Sequence, residues 1–234
     1  MLTLVDLCGA LISDGTESTL LRPSKWLAPG CQEDDASRLF QASQSPDMHA
    51  NYAVYLCAKV CELVSDRTQF VELVVKNGCS GEIYYRRWTQ LWGDLQHWVE
   101  NRPSKLLPVQ ITVSKPFPHV LFLHWAAISS NQLYHTACIL LLNLTPKSVK
   151  LQAAPNVSAL WHARHICGIS LANSHHGCLN NAIQPLWIAG RLFSHVSEHN
   201  IIIDIIRNIE AETGWGACWR IRDLELAWGY KVSQ

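Results

Sequence analysis

Three groups of residues in this chain have types and spacings that could do chemistry, and the sharpest is His195-Val-Ser-Glu198-His199. On a helix, histidines at i and i+4 share a face and can clamp one zinc ion, with the glutamate as general base. A catalytic zinc needs a third protein ligand, for which Glu210, Glu212, Asp223 and Glu225 are the downstream candidates. The pattern fixes only three positions in a chain of 11 histidines. Ser197 and Glu198 also stand where a cap is expected ahead of an isoleucine-rich stretch, so the competing reading is a solvated helix start.

The second group is His162, His165 and Cys167, with His175, His176 and Cys178 about ten residues on. His162 and His165, at i and i+3, can present two ligands on one face. The other three lie in a Ser/His/Gly turn whose distance from the first three only the fold sets. One buried and one exposed histidine on a helix is the plainer arrangement, and neither a bound metal nor any other cofactor is expected.

The third group is aromatic. Ten tryptophans in 234 residues are first of all core filling, each indole N–H seeking an acceptor. The sharper reading is a cavity lined by Trp125, Trp187 and Trp215 near Tyr134, His135, His165 and Arg191. Such a cavity would hold a planar or apolar small molecule. The ligand-binding candidates are Trp125, His135, His165, Trp187 and Arg191. No G-x-S-x-G elbow, Walker loop or dinucleotide fingerprint appears, and Gly168, Gly177 and Gly190 are isolated. His135, His165 and His199 are left as the acid/base groups near neutral pH. Binding is expected rather than turnover.

The elements that must position these residues read as helices. Met1 to Gly15 look like part of a helix, and 16–47 read as a Ser/Pro/Gly/Asp-rich mobile connector. From 48 to 234 the chain reads as one helical domain. Ala53, Leu56, Cys57, Val60, Cys61 and Val64 make one stripe; Tyr84, Trp88, Leu91, Leu95 and Trp98 make another. Pro118 suits the first turn of a helix expected over His119–Leu144. Ser158 is the expected N-cap of the next, and 179–194 form another around Pro185. Ile201 to Ile209 face a core before Gly214 stops their helix, and Trp215, Trp219, Leu224 and Trp228 line the last. Val109–Val113 is the one strand candidate. The fold class is all-α, seven to nine helices in antiparallel pairs around one core.

Composition removes several function classes. Hydrophobic residues are 48% and charged ones 16%, so these helices must pack on one another. Net charge is zero and the sequence pI is about 7.1. Arg86-Arg87 is the only tight basic pair, so direct nucleic-acid binding is not expected. The nine cysteines contain no C-x-x-C and fit free buried thiols in a reducing compartment. Asp6 interrupts the apolar start, so no secretory leader is expected. The run from Val120 to Leu144 is cut by Ser129-Ser-Asn-Gln132 and His135-Thr136, which argues against a membrane span. A nuclear or cytoplasmic location follows.

One ordered series adds a resemblance. Trp92 and Trp98 precede Arg102-Pro103; Pro116-Phe-Pro118 opens an apolar stretch with Tyr134-His135; Leu140-Leu-Leu142 stops before Pro146. Then come Trp161-His-Ala-Arg-His165-Ile-Cys-Gly168, Pro185-Leu-Trp187-Ile-Ala-Gly190 and Ile209-Glu-Ala-Glu-Thr-Gly-Trp215. Over residues 50 to 230 this order resembles the regulatory domain that follows the zinc-cluster DNA reader in fungal transcription factors. The resemblance implies a nuclear regulator of a metabolic or secondary-metabolite gene set, in which a helical domain senses a metabolite or a protein partner, a homodimer included. The reader itself needs six cysteines within about 30 residues, and the first 56 residues hold only Cys8 and Cys31, so the DNA-binding half is expected to be absent. The alternatives are a stand-alone small-molecule binder or enzyme reusing the cavity, and a zinc hydrolase through His195 and His199.

Overall fold

The computed structural model describes residues 2–13, 15–16, 22–27, 30–42 and 45–230, with the backbone alone at 2–5, 24, 34 and 41. Helix dominates these residues: α1 (Leu2–Ile12), α2 (Ala36–Gln41), α3 (Pro46–Glu72), α4 (Gly81–Glu100), α5 (Trp125–Asn143), α6 (Ala159–Ala172), the single turn α7 (His176–Leu179), α8 (Ile183–Gly190), α9 (Val196–Thr213) and α10 (Cys218–Ala227). Sheet is confined to a ribbon of β1 (Gln110–Thr112) and β2 (His119–Leu121), antiparallel with Ile111 opposite Val120. The class is all-α, as expected.

Cross-helix partners fix the directions. His49 of α3 meets Trp98 of α4, while Asp66 of α3 holds Arg87 at 2.7 Å, so α3 and α4 run antiparallel. The Trp88 indole donates to the Leu141 carbonyl at 2.8 Å, and Trp98 stacks on Tyr134 at 5.4 Å, which turns α5 back against α4. His135 touches His162, and Gln132 donates to Ser170, so α6 reverses again. Helix α5 is the axis of the molecule: fifteen of its residues are buried, including Ser130, Asn131, Gln132, His135 and Thr136.

Several local rules act as the sequence predicts. The buried residues of α4 are Tyr84, Trp88, Leu91, Leu95 and Trp98, the complete expected stripe. The Ser158 hydroxyl accepts from the Trp161 amide and caps α6. Gly214 ends α9 at φ 68°, the left-handed conformation that glycine adopts without Cβ strain. Gly15 closes α1 with φ 77°, donating its amide to the Ala10 carbonyl at 2.9 Å. Asp14, placed at that helix end by the sequence, lies outside the described residues.

Five expectations need correction. The helix predicted from His119 begins at Trp125 instead, because His119–Leu121 is strand. Val120 and Phe122 alternate inward, and Asn173 at the end of α6 holds this strand by accepting from the Phe122 amide and donating to the Val120 carbonyl. The connector is not all loop, since it contains α2 and two short 3-10 turns, Pro23–Trp26 and Glu33–Asp35; residues 17–21, 28–29 and 43–44 of it lie outside the described set. The apolar interior is not one body: beneath the ribbon a smaller cluster of Leu106, Val120, Phe122, Ile128 and Ile169 sits apart from the main core. Trp215 and Trp219 do not line the inner face of α10, being exposed, while Leu224 is fully buried. The stretch 179–194 is also broken, with Pro185 in the first turn of α8 where its missing N–H costs nothing.

Two glycines in the resembling motifs allow close approach. A Cβ at Gly168 would stand 2.0 Å from the Pro118 carbonyl oxygen, so α6 packs there backbone to backbone. A Cβ at Gly190 would meet Leu224 at 2.7 Å, and the Gly190 carbonyl accepts from the Trp228 indole at 2.9 Å.

Candidate functional site

The ligand residues picked from sequence separate into three places. His135 and His165 come together, with ring centroids 5.2 Å apart on α5 and α6. Trp187 and Arg191 form a second pair, the guanidinium 4.6 Å from the ring centre. Trp125 stands alone at the start of α5, 52% exposed and stacked on His124. Ten residues of helix set it about 15 Å from His135 along the axis.

His135 belongs to a three-histidine seam between α5 and α6. Its Nδ1 lies 2.7 Å from Nδ1 of His162, whose Nε2 faces the Asn156 carbonyl at 2.9 Å. A carbonyl can only accept, so His162 carries its proton on Nε2 and its Nδ1 accepts from His135. His165 likewise points Nδ1 at the Trp161 carbonyl at 2.8 Å and lies under the Trp161 ring. Burial depresses all three: His135 falls well below its ordinary value, with the neighbouring imidazoles adding to the effect, His162 falls to about 4, and His165 is lowered as well. The seam is neutral at pH 7. Its bonds join two helices and require no ligand.

Arg220 is the residue that sequence reasoning missed. It is buried, donates to Gln184 of α8 at 2.6 Å and 3.1 Å, to the Ile12 carbonyl at the end of α1, and to Asp223. Its guanidinium lies 4.6 Å from Trp187 and 4.3 Å from Trp219, so Trp187 is shared by two arginines. An i, i+3 acid beside a tryptophan pair was the only hint, and it does not distinguish a tie from a surface pair.

The H-x-x-E-H residues are separately engaged. His195 is the N-cap of α9, accepting from the Ser197 amide at 3.2 Å, where Ser197 and Glu198 had been expected to begin the helix. Glu198 is buried and pairs with Arg164 at 3.3 Å. His199 stacks on Trp228 at 3.8 Å and bonds the Phe193 carbonyl and the Tyr230 hydroxyl. A solvated start describes His195 but not the other two. Cys178 of the second candidate set points at the Trp125 carbonyl, and His176 lies 3.7 Å from Glu212. Among the described residues no group of three or more His, Cys, Asp or Glu is arranged to hold a metal ion. Most thiols are buried, and burial raises Cys8 to about 11 and Cys138 and Cys167 further; Cys218 is the exposed exception.

A ligand-sized cleft of about 590 Å³ opens elsewhere, between α2, α3 and α4. Its floor is Leu56 and Leu91, its aromatic wall Tyr52 and Tyr55, and its rim Ala36 and Ser37. Phe40 stacks on Tyr52 at 5.3 Å, and Ser37 bonds the Tyr52 hydroxyl. Burial raises both phenols, Tyr52 to about 12. Lys59 is held by Glu33 at 2.5 Å and Glu62 at 2.9 Å, and Arg87 by Asp66. Among the described residues Asp94 accepts from the Gln90 amide alone, at 3.1 Å; burial, against that bond and the charge of His97, holds its carboxyl above the usual range. None of the five residues picked from sequence lines this cleft. It escaped because its residues span positions 33 to 94 and its polar members look like solvated helix faces.

Comparison with known proteins finds one relation in part of the chain. Over 67 residues, 29% of its length, the chain is 37% identical to the transcription activator AMTR1 of Alternaria alternata. The chain is related there to a fungal transcription activator. The match spans 9% of that activator. No family model and no solved structure matches the chain. No helix among the described residues is long and apolar enough to cross a membrane.

Proposed function

We propose that this chain is the regulatory, small-molecule-sensing part of a fungal transcription regulator of the zinc-cluster type, acting in the nucleus on a metabolic or secondary-metabolite gene set. The observation that carries the sensing role is the cleft between α3 and α4: about 590 Å³ falls in the range of small-molecule sites, and its lining combines aromatic walls with a few polar groups. The partial relation to a fungal transcription activator supports the regulatory role. Direct DNA contact belongs in this reading to a separate basic, cysteine-rich module, since these 234 residues carry no net charge.

Turnover is not part of the proposal. The buried histidines are held neutral by burial, and the buried thiols are pushed away from the thiolate form. An interior of this kind binds without activating a nucleophile. The test is a thermal-shift screen of apolar and aromatic metabolites followed by mass spectrometry of each hit. The account expects at least one compound to raise the melting temperature by mass action and to be recovered unchanged. Conversion of the hit would favour an enzyme. A screen with no shift would leave a protein-interaction domain.

A further inference from the structure

We propose that the cleft between α3 and α4 takes a protonated amine with an aromatic or apolar body, with Asp94 as its counter-ion and Tyr52 and Tyr55 as its aromatic wall. The proposal deepens the sensing reading by naming the site and the ligand class.

One carboxylate of the cleft lacks an ion-pair partner among the described residues. The charged groups in and just behind the cleft are Lys59, Arg86 and Arg87 against Glu33, Glu62, Asp66 and Asp94. Lys59 is matched by Glu33 and Glu62, at 2.5 Å and 2.9 Å. Arg87 is matched by Asp66 at 2.7 Å, with Glu62 4.0 Å away. Asp94 accepts from the Gln90 amide and feels the charge of the exposed His97 three residues on, but no lysine, arginine or histidine nitrogen stands at ion-pair distance among the described residues. A partly buried carboxylate without a cation is costly, and a ligand cation offsets that cost. The remaining arginine, Arg86, is exposed and lies eight residues before Asp94, about 12 Å along the helix. Arg86 also lines the cleft, but it is exposed to solvent that screens its charge, so it opposes a cation at Asp94 only weakly.

The surroundings of Asp94 suit an ammonium more than an anion. Tyr52 and Tyr55 line the same cleft as Asp94, and its charge adds to the effect of burial in raising both phenols. Aromatic walls next to a carboxylate attract a cation twice, through the ring quadrupole and through direct charge. Leu56 and Leu91 supply the apolar floor for the body of such a ligand. An anionic ligand would face an unpaired carboxylate in the same space.

The experiment uses three probes of one shape on the whole chain: 2-phenylethylamine, 2-phenylethanol and 3-phenylpropionate, titrated by calorimetry and by chemical-shift changes of the tyrosines. The amine is expected to bind at least tenfold more tightly than the alcohol, and the carboxylate not at all. Asp94→Asn should abolish this preference, Asp94→Glu should restore part of it, and Arg86→Gln should leave it in place. Circular dichroism confirms that each variant is folded. Equal binding of amine and alcohol to the wild-type chain, preference for the carboxylate, or undiminished amine binding by Asp94→Asn would overturn the proposal. Binding of the alcohol alone would still leave small-molecule sensing standing, so the two readings fail separately.

Discussion

His135 and His162 meet nitrogen to nitrogen, Nδ1 to Nδ1 at 2.7 Å, across the boundary between α5 and α6. The contact holds only while one ring donates and the other accepts, so protonating both breaks it. His162 titrates near 4 in the folded chain against 6.5 in the unfolded one, because burial disfavours its cation. The unfolded state therefore binds more protons in that window, and stability rises with pH. Raising the pH from 4 to 6.5 should add about 3 kcal/mol from His162 alone, at 1.36 kcal/mol per unit. His162→Gln should flatten the dependence of melting temperature on pH between those limits; an unchanged slope would show that the seam does not titrate.

Trp98 ties α4 to α3 through a reciprocal pair: its indole donates to the His49 carbonyl at 2.9 Å, and the His49 ring lies 3.2 Å from the Trp98 carbonyl. Trp98→Ala should cost about 3–5 kcal/mol, and Ile205→Ala in the buried face of α9 about 2–5 kcal/mol. Denaturant midpoints read both, and wild-type midpoints would show these faces are not core.

Gly168 and Gly190 separate a hard contact from a soft one. Gly168→Ala drives a methyl into the Pro118 carbonyl, a backbone atom that cannot step aside, and should cost about 3 kcal/mol or more. Gly190→Ala meets the terminal methyl of Leu224, which can rotate, so its cost should be smaller. Equal losses in the two variants would contradict this distinction.

Most helices were legible because their signals are local. The α4 stripe from Tyr84 to Trp98, the Ser158 cap and the Gly214 stop each depend on residues within a turn or two. The β2 strand was hidden because His119-Val-Leu-Phe122 joins an apolar run that continues into α5, and helix and strand periodicities overlap in short apolar runs. The site was harder still. Asp94 and Gln90 look in sequence like ordinary solvated positions of an amphipathic helix. Only the approach of α2, with Ala36 and Ser37, turns that face into a cleft. Arg220 was invisible for the same reason, since its partners Gln184 and Ile12 lie 36 and 208 residues away.

The chain alone should not bind DNA specifically, because its charges balance and Arg86-Arg87 is its only tight basic pair. A gel shift in about 150 mM salt should show no sequence-dependent band, since phosphate contacts weaken steeply with salt. A specific complex surviving that salt would place the DNA reader inside these residues.

The central claim, regulation of transcription through a ligand cleft, is tested most directly by tethering the chain to an unrelated DNA-binding module at a reporter promoter. Reporter output is measured for the wild-type chain and for Leu91→Trp, which fills the cleft floor, at matched nuclear abundance. The account predicts that the wild-type chain changes transcription, that this change responds to compounds from the binding screen, and that Leu91→Trp abolishes the response. A reporter indifferent to the tethered chain, or a response untouched by Leu91→Trp, would contradict it.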